Sequence, residues 1–469
     1  MEFIELINDW LWTYVMIGLL LGAALFFTIY LKGVQFTMIP LMIKLLFESS
    51  KNHENPDDPI AKKKTISSFQ AFTVSLASRV GTGNIAGVAI AIAIGGPGAV
   101  FWMWVVAIIG SANAFVESTL AQLFKVRDKD AFRGGPAYYI MKGLHKKWWA
   151  ITFAVLITLT FGLAFNTVQS NTIVTAFQST FGLPELWVGV ATTVIILLVI
   201  CGGIQRISKV SEIVVPIMAV CYILIAVYII IINIAQFPAV MSLILRNAFG
   251  FDQAIGGGLG MAIMLGVKRG LFSNEAGEGS TPNAAATADI SHPVKQGLIQ
   301  TLGVYTDTLL VCTATAFIIL CSGLFDSGLT GIELTADSLK SQTGNFSTWF
   351  LAIAIYLFAF TSVIANYYYG ETNLKFIKDN KYIIYIFRAL VGGTIMVGSL
   401  SSLKFVWAIS DITMGLMTMC NMLAIIFLGK YAYKCLKNFR SQLKEGKDPQ
   451  FTYKVIPELE DEIKEAWPD

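Results

Sequence analysis

Charge is what this chain has least of. Of its 469 residues, 14% are Asp, Glu, Lys or Arg and 55% are hydrophobic, and the mean hydropathy is +0.64. A soluble protein carries about 25% charged residues. So few charges cannot clothe a water-exposed globule of this size, whereas helices facing lipid need almost none. Histidine is scarcer still. His53, His145 and His292 are the whole complement, all three fall in predicted loops, and no His/Asp/Glu cluster of an integral-membrane enzyme forms around them. The six cysteines make no CxxC pair and lie mostly in apolar runs, where they read as small hydrophobes, which argues against a disulfide or zinc framework. No segment is basic and polar enough for a nucleic-acid face. The stretch Met1 to Trp10 is acidic and lacks the basic region of a cleavable signal, so the first apolar run reads as a retained helix.

What the chain has is long apolar runs. A hydrocarbon core about 30 Å thick takes about 20 apolar residues per helix. Runs that qualify lie at 12–31, 66–94, 98–124, 148–177, 186–203, 211–235, 254–288, 296–323, 346–373, 381–400 and 403–430, which predicts about eleven spans. An amphipathic stretch near 34–47 and a polar loop from Glu48 to Lys64 separate the first two. The charged tail, 431–469, is expected on the membrane face or in water. Positive charge gathers in alternate loops, at Lys62 to Lys64, at Arg127 to Lys147, at Arg206 and Lys209, at Lys375 to Lys381 and again in the tail. The positive-inside rule then predicts an N-terminus outside and a C-terminus in the cytoplasm, which an odd number of spans also requires.

Two spans carry glycine and polar groups where a simple helix would want leucine. One contains Ser78-Arg-Val-Gly-Thr-Gly-Asn84, the other Gly266-Val-Lys-Arg-Gly-Leu-Phe-Ser-Asn-Glu-Ala-Gly277. With 12–31 set aside, each begins a set of five helices, and because five is odd the two sets have opposite orientation. Paired, interrupted spans in inverted halves point to a secondary transporter whose site sits at the breaks. The halves are expected at 66–235 and 236–430, after an extra helix and linker at 1–65. Unwinding frees N–H and C=O groups that lipid cannot satisfy. The N–H end of one half-helix suits a carboxylate and the carbonyl end of the other suits a small cation or an ammonium group. An α-amino acid with a sodium ion fits both. Glycine clusters in membrane helices also serve tight packing, and Gly95-Gly-Pro-Gly98 reads as a plain turn. Gly81-x-Gly83 lacks the spacing of a dinucleotide loop. In the second span the unwound part falls at Gly256–Gly258 or Gly266–Phe272, and depth counted at about 1.5 Å per residue favours the latter.

Charges inside predicted spans cost about 2.5–3.5 kcal/mol or more unless paired. Arg79, Glu117, Lys268, Arg269, Glu275, Glu278 and Asp307 are such charges. Glu117 and Asp307 read as structural groups joining helices, Glu275 and Glu278 as parts of a cytoplasmic gate, and Arg79 adjoins the first break. Thr361 and Ser362 are neighbouring hydroxyls in an otherwise apolar helix; such groups usually bond the carbonyl one turn back, so alone they say little.

Taken together, Gly81-Thr-Gly-Asn-Ile-Ala-Gly-Val-Ala89, Gly95-Gly-Pro-Gly-Ala-Val-Phe-Trp-Met-Trp104, Arg269-Gly-Leu-Phe-Ser-Asn-Glu-Ala-Gly277, Asp307-Thr-Leu-Leu-Val-Cys-Thr313 and Tyr367-Tyr-Tyr-Gly-Glu371 resemble the alanine or glycine:cation symporters, also called sodium:alanine symporters. The resemblance implies an all-α membrane protein with a LeuT-type 5+5 inverted repeat and one extra N-terminal helix. It implies a sodium site at the carbonyls of Ala77, Val80 and Phe358 and the hydroxyls of Thr361 and Ser362, an all-oxygen shell that a hard cation prefers. The substrate carboxylate is expected at the N–H groups near Thr82 and Gly83, beside Asn84, and the amino group at carbonyls near Arg79 or in the second break. Side-chain contacts are expected from Phe165, Asn166 and Gln169, and from Phe272, Ser273 and Asn366. Similar members that take alanine or glycine usually have tryptophan where Asn366 stands and a small residue where Arg79 stands. Asparagine opens space and adds a donor and an acceptor, so the choice lies between glutamine and alanine or glycine.

The expectation is a sodium-coupled importer of a neutral amino acid, working by alternating access in a prokaryotic cell membrane, with sodium as coupling ion and no other cofactor, no covalent chemistry and no nucleic-acid partner. Coupling to protons through Asp307 or Glu117 is the alternative, followed by a channel or a non-transporting nutrient sensor.

Overall fold

Ser67 opens the core of the molecule with a capping box. Its Oγ accepts from the Gln70 N–H while Gln70 Oε1 accepts from the Ser67 N–H, both at 3.1 Å, so two of the N–H groups left over at a helix start are satisfied. The helix that follows, and every other element below, is taken from a computed structural model that describes residues 2–48, 66–128, 131–250 and 258–468. Part of the expected polar loop, Lys62 to Lys64 included, lies outside the described residues.

In chain order the long helices are α1 (Phe3–Tyr30), α2 (Ser68–Arg79), α3 (Gly83–Gly95), α4 (Gly98–Leu123), α5 (Lys147–Phe181), α6 (Glu185–Ile200), α7 (Gly203–Ile232), α8 (Phe237–Ala248), α9 (Gly258–Asn274), α10 (Pro293–Ser322), α11 (Gly331–Thr343), α12 (Phe346–Ile377), α13 (Lys381–Ser399) and α14 (Leu403–Lys444). Among the described residues eight are long and apolar enough to span a bilayer, and α2 with α3, bent by 48° at their junction, make a ninth. The shorter α6 and the half-helix α9 occupy the remaining two expected spans. Two short helices, Val34–Thr37 and Ile39–Leu46, form the amphipathic stretch, and a small hairpin pairs Val126–Asp128 with Ala131–Arg133.

Burial separates the scaffold from the core. On α7, Ile213, Ile217, Val220, Leu224 and Ile231 are exposed, at the three- and four-residue spacing of one helix face, which is the surface a lipid chain would cover. The helices α2, α4 and α9 bury polar side chains as fully as apolar ones, Thr73, Ser75, Glu117, Gln122 and Ser273 among them. In water-free surroundings that is tolerated only where partners meet them.

Two faces can be told apart. On the N-terminal face Lys404, near the start of α14, pairs with Glu5 at 2.6 Å. On the opposite face the chain after α14 folds back. Phe451 N–H bonds the Ser291 carbonyl at 2.9 Å, and Trp467 Nε1 bonds the Gln122 and Leu123 carbonyls at 3.1 and 3.2 Å. This corrects the sequence expectation in two ways. The last helix continues to Lys444 rather than ending at 430, and the tail packs on protein, with Phe451, Ile456, Leu459, Ile463 and Trp467 buried.

Candidate functional site

The first break is short. Helix α2 ends at Arg79, Val80 leaves the helical region (φ −81, ψ 86), and a π-helical turn, Gly83–Gly87, restarts the span. Such turns recur at functional positions, and others occur here at Thr160–Ala164 and Tyr305–Cys312. The glycines are required by space. A Cβ on Gly81 would lie 2.3 Å from Ser362 Oγ, and one on Gly83 would lie 2.8 Å from the Phe272 ring. Two N–H groups face inward at the break: Asn84 Oδ1 accepts from Gly81 (2.9 Å) and Gln169 Oε1 from Thr82 (3.2 Å). The Thr82 hydroxyl is buried and has no partner among the described residues.

The second break does not fall at Gly266–Phe272, the alternative that depth favoured. Helix α9 runs unbroken from Gly258 through Asn274, across Gly266–Phe272. Of the other alternative, Gly256–Gly258, all but Gly258 lies outside the described residues. The chain unwinds at 275–281, where Glu275, Gly277 and Gly279 have φ of 56°, 97° and 83°. Gly266 and Gly270 are packing glycines: a Cβ on the first would meet the Ala99 carbonyl at 2.6 Å, on the second Val106 at 3.0 Å. The half-helix therefore reaches about 25 Å at 1.5 Å per residue, deeper than the midpoint that the sequence arithmetic assumed.

The oxygens expected to hold sodium converge from two helices. Ser362 Oγ lies 2.9 Å from the Ala77 carbonyl and 2.9 Å from that of Phe358, and Thr361 Oγ1 lies 3.0 Å from Phe358 O. Val80 is fully buried beside them at the end of α2. The Ala77 contact crosses from α12 to α2, so it is more than the usual bond of a hydroxyl to its own helix. The donor set is all oxygen, as a hard cation requires. Sodium in the cleft would tie the first half-helix to α12.

Of the residues expected around the substrate, Asn166 and Asn366 join one polar string with Ser78 and Glu275, while Asn84 and Ser273 meet at Asp307. Ser78 Oγ is 2.5 Å from Glu275 Oε1 and 3.0 Å from Asn366 Oδ1. Asn366 Nδ2 donates to Asn166 Oδ1 at 3.2 Å, and Asn166 Nδ2 donates to the Gly162 carbonyl at 2.8 Å. The rings of Phe165 and Phe272 sit 4.5 Å apart, and Phe272 lies 4.6 Å from Trp407, forming a lid toward the N-terminal face. Ser273 donates to Asp307 Oδ2 (2.8 Å) and Asn84 Nδ2 to Asp307 Oδ1 (2.5 Å), so Asp307 clamps both broken spans to α10. Arg79 stands apart. Its guanidinium reaches the Asn274 carbonyl (2.9 Å), Gln300 (3.2 Å) and Thr281 Oγ1 (3.2 Å), so it braces the second break and leaves only its backbone at the first.

Two layers of contacts flank this polar string. Toward the N-terminal face Arg269 donates to both oxygens of Asp411, Lys268 Nζ lies 3.3 Å from Asp411 Oδ2, and the Arg269 guanidinium sits 4.4 Å over the Trp407 ring. Helix α1 joins through Asn8 (3.4 Å to Oδ2) and Trp12 (3.2 Å to the Asp411 carbonyl). Toward the tail Glu117 accepts from the N–H groups of Gly277 (3.1 Å) and Gly279 (3.0 Å) and from Asn421 Nδ2 (2.8 Å). Sequence reasoning missed Ser78, Asp411, Trp407 and Asn421. A lone aspartate, Asp411, in an apolar run opposite the paired cations Lys268 and Arg269 was the signal available for one of them.

Comparisons with known proteins identify the family and the fold. Residues 1–453 match the sodium:alanine symporter family. The probable sodium/glutamine symporter GlnT of Bacillus subtilis is 52% identical over 462 residues, covering 98% of this chain and 95% of that protein. The amino-acid carrier protein AlsT of the same organism is 49% identical over 466 residues, with 99% and 97% covered. The sodium/proton-dependent alanine carrier protein of Bacillus sp. strain PS3 is 41% identical over 404 residues, with 82% and 91% covered. Among solved structures, MhsT in complex with L-phenylalanine superposes with a TM-score of 0.58 at 14% identity, covering 80% of this chain and 99% of that one, and shows the LeuT-type fold. The chain belongs to the sodium:alanine symporter family, whose members import amino acids with sodium.

Proposed function

We propose that this protein carries glutamine, with sodium, into the cell by alternating access. The observation that carries the choice of substrate is Asn366. It stands between Ser78 and Asn166 in the polar string, where its amide offers a donor and an acceptor to a side-chain amide, and the relative named for glutamine supports the same reading. The substrate carboxylate would meet the N–H groups of Thr82 and Gly83 at the start of the second half-helix, where the helix dipole favours an anion. Phe165 and Phe272 would cover it.

Sodium binds at Ala77, Val80, Phe358, Thr361 and Ser362 in this reading. It orders the end of α2, the same backbone that offers its N–H groups to the carboxylate. Each ligand then strengthens the other by the same factor. With the N-terminus outside and the tail in the cytoplasm, inward transfer of one sodium ion gains about 2.3 kcal/mol per 100 mV.

The test is uptake of labelled glutamine, alanine and glycine into proteoliposomes, with and without a sodium gradient. Sodium-dependent, saturable glutamine uptake is expected, and Asn366→Trp should reduce glutamine uptake at least tenfold while alanine uptake rises or persists. Glutamine uptake unaltered by Asn366→Trp would sink the assignment of substrate, and uptake indifferent to sodium would sink the coupling.

A further inference from the structure

Between the polar string and the tail face lie three buried carboxylates and one guanidinium, and the site described so far gives Glu278 no role and Glu275 only its contact with Ser78. Glu117, Glu275 and Glu278 are at most 1% exposed, and Arg79 is 1% exposed. Glu117 is well provided for, with three N–H donors, as an anion should be. Arg79 can offset one negative charge. Glu278 is the anomaly. It is wholly buried, its electrostatic neighbours are Glu275, Glu117 and Arg79, and neither of its oxygens has a hydrogen-bond partner among the described residues. A bare carboxylate in such surroundings is too costly to persist.

Donor counting says the same of Glu275. Ser78 has one hydroxyl proton, yet its oxygen lies within hydrogen-bond distance of two acceptor oxygens, Glu275 Oε1 and Asn366 Oδ1. Asn366 cannot turn its amide to become the donor, because its Nδ2 already serves Asn166 Oδ1, and Asn166 Nδ2 serves a backbone carbonyl. A proton on Glu275 resolves the count. Glu275 then donates to Ser78, Ser78 to Asn366, Asn366 to Asn166 and Asn166 to Gly162, one direction throughout. Ser280 supplies the other Glu275 oxygen at 2.6 Å.

We propose that Glu275 and Glu278 form a proton-binding pair on the tail side of the polar string, charged with protons while both faces are closed and discharged to water when the tail-side layer opens. The proton leaves the carboxyl oxygen for a water molecule at that face, and the carboxylate left behind is hydrated there. The groups facing the pair are Glu117 from α4, Arg79 from α2, Asp307 from α10 and Tyr369 from α12; Arg79 alone among them carries positive charge. Because the donor string runs from Glu275 to Asn366, the protonation state of the loop reaches the residue assigned to substrate choice. The inference rests on the transport reading above and assigns a proton site within it.

Two measurements test it. In the first, sodium-driven glutamine uptake by wild-type protein in liposomes is followed from pH 5.5 to 9 beside Glu278→Gln, which fixes the protonated shape at the pair. Wild-type uptake is expected to vary at least fivefold across that range and the variant less than twofold. Equal profiles, or a flat wild-type profile, overturn the proposal. In the second, purified wild-type protein in weak buffer with a pH indicator receives sodium and glutamine together. Movement of at least one proton per chain is expected, absent or halved in Glu278→Gln; no proton movement in the wild type overturns the proposal even if the variant fails to fold. If sodium-dependent uptake is missing at every pH, the transport reading itself fails, a result distinct from sodium-dependent uptake without proton movement.

Discussion

On the N-terminal face two cations, Lys268 and Arg269, share the single carboxylate of Asp411 under an aromatic lid. On the tail face Glu117, Glu275 and Glu278 lie in the field of the Arg79 guanidinium, whose hydrogen bonds go to Asn274, Gln300 and Thr281, while glycine N–H groups and an asparagine hold Glu117. Both layers flank the same polar string, and they are built differently, one on an ion pair and the other on backbone hydrogen bonds. Direct ion pairing closes one face, so the closure is rigid and stands or falls with one residue. The other is closed by an unwound loop gripped at its backbone, so opening needs only that main-chain hydrogen bonds be exchanged for water. The loop is the softer closure of the two and the ion pair the stiffer one.

Asp411→Asn is the hardest blow to that contrast. It leaves two buried cations without an anion, a loss of about 3–5 kcal/mol. A large fall in the thermal midpoint of the purified protein and loss of uptake are expected. A midpoint within experimental error of the wild type would mean that the ion pair is not what holds this face.

Glu117→Gln should cost less, about 1.5–3 kcal/mol, the range for losing hydrogen bonds to a charged group. Glutamine keeps one acceptor for Gly277 or Gly279 but points an N–H group at the other. The tail-side loop should loosen first, read as faster hydrogen exchange across 275–281 with the N-terminal layer unchanged. If exchange rises equally on both faces, the two closures are one cooperative unit and the comparison fails.

The sequence exposed one side of this contrast more clearly than the other. Gly81 and Gly83 announced the first break because their neighbours, Ser78, Thr82 and Asn84, are polar where lipid forbids it. The second break was hidden by better-placed decoys. Gly266 and Gly270 look like breaks but exist so that α9 can lie against α4, a distance constraint invisible without the partner helix. Gly277 and Gly279 lay only a few residues away, in a stretch read as a gate. The long apolar helices and the family were legible because hydropathy and motifs are local. The Arg269–Asp411 pair, 142 residues apart, and the folded-back tail were not, because each depends on where distant helices stop.

The tail belongs to the softer face. Trp467 seals the end of α4 and stacks near Lys125, whose ammonium lies 4.5 Å from its ring and 4.0 Å from that of Phe132, contacts worth about 0.5–2 kcal/mol each. Trp467→Ala should free the segment after Lys444, making it at least tenfold more sensitive to added protease, while the N-terminal layer and the overall thermal midpoint stay near wild type. Unchanged protease sensitivity would remove the tail from the closure altogether.

The smallest effect separates the faces by pH. His292 Nδ1 accepts from the Val294 N–H at 3.2 Å, its Nε2 faces Asn438 Oδ1 at 3.2 Å, and Phe439 and Phe451 pack on the ring. That arrangement needs a neutral imidazole with its proton on Nε2. Burial, with Lys295 nearby, pushes the pKa from 6.5 down to about 3. When the tail is detached and the ring exposed, the ordinary value returns. Between those two values the detached state binds a proton and the docked state does not, so docking weakens as pH falls below 6.5, by at most about 1.4 kcal/mol per unit. Hydrogen exchange over 446–467 should therefore quicken, after correction for intrinsic rates, between pH 6.5 and 5, and His292→Gln should abolish that acceleration. The pair on the N-terminal face has no such group, so exchange around Asp411 should stay level over the same interval. Acceleration at both places would show that acid acts on the whole fold and not on the tail.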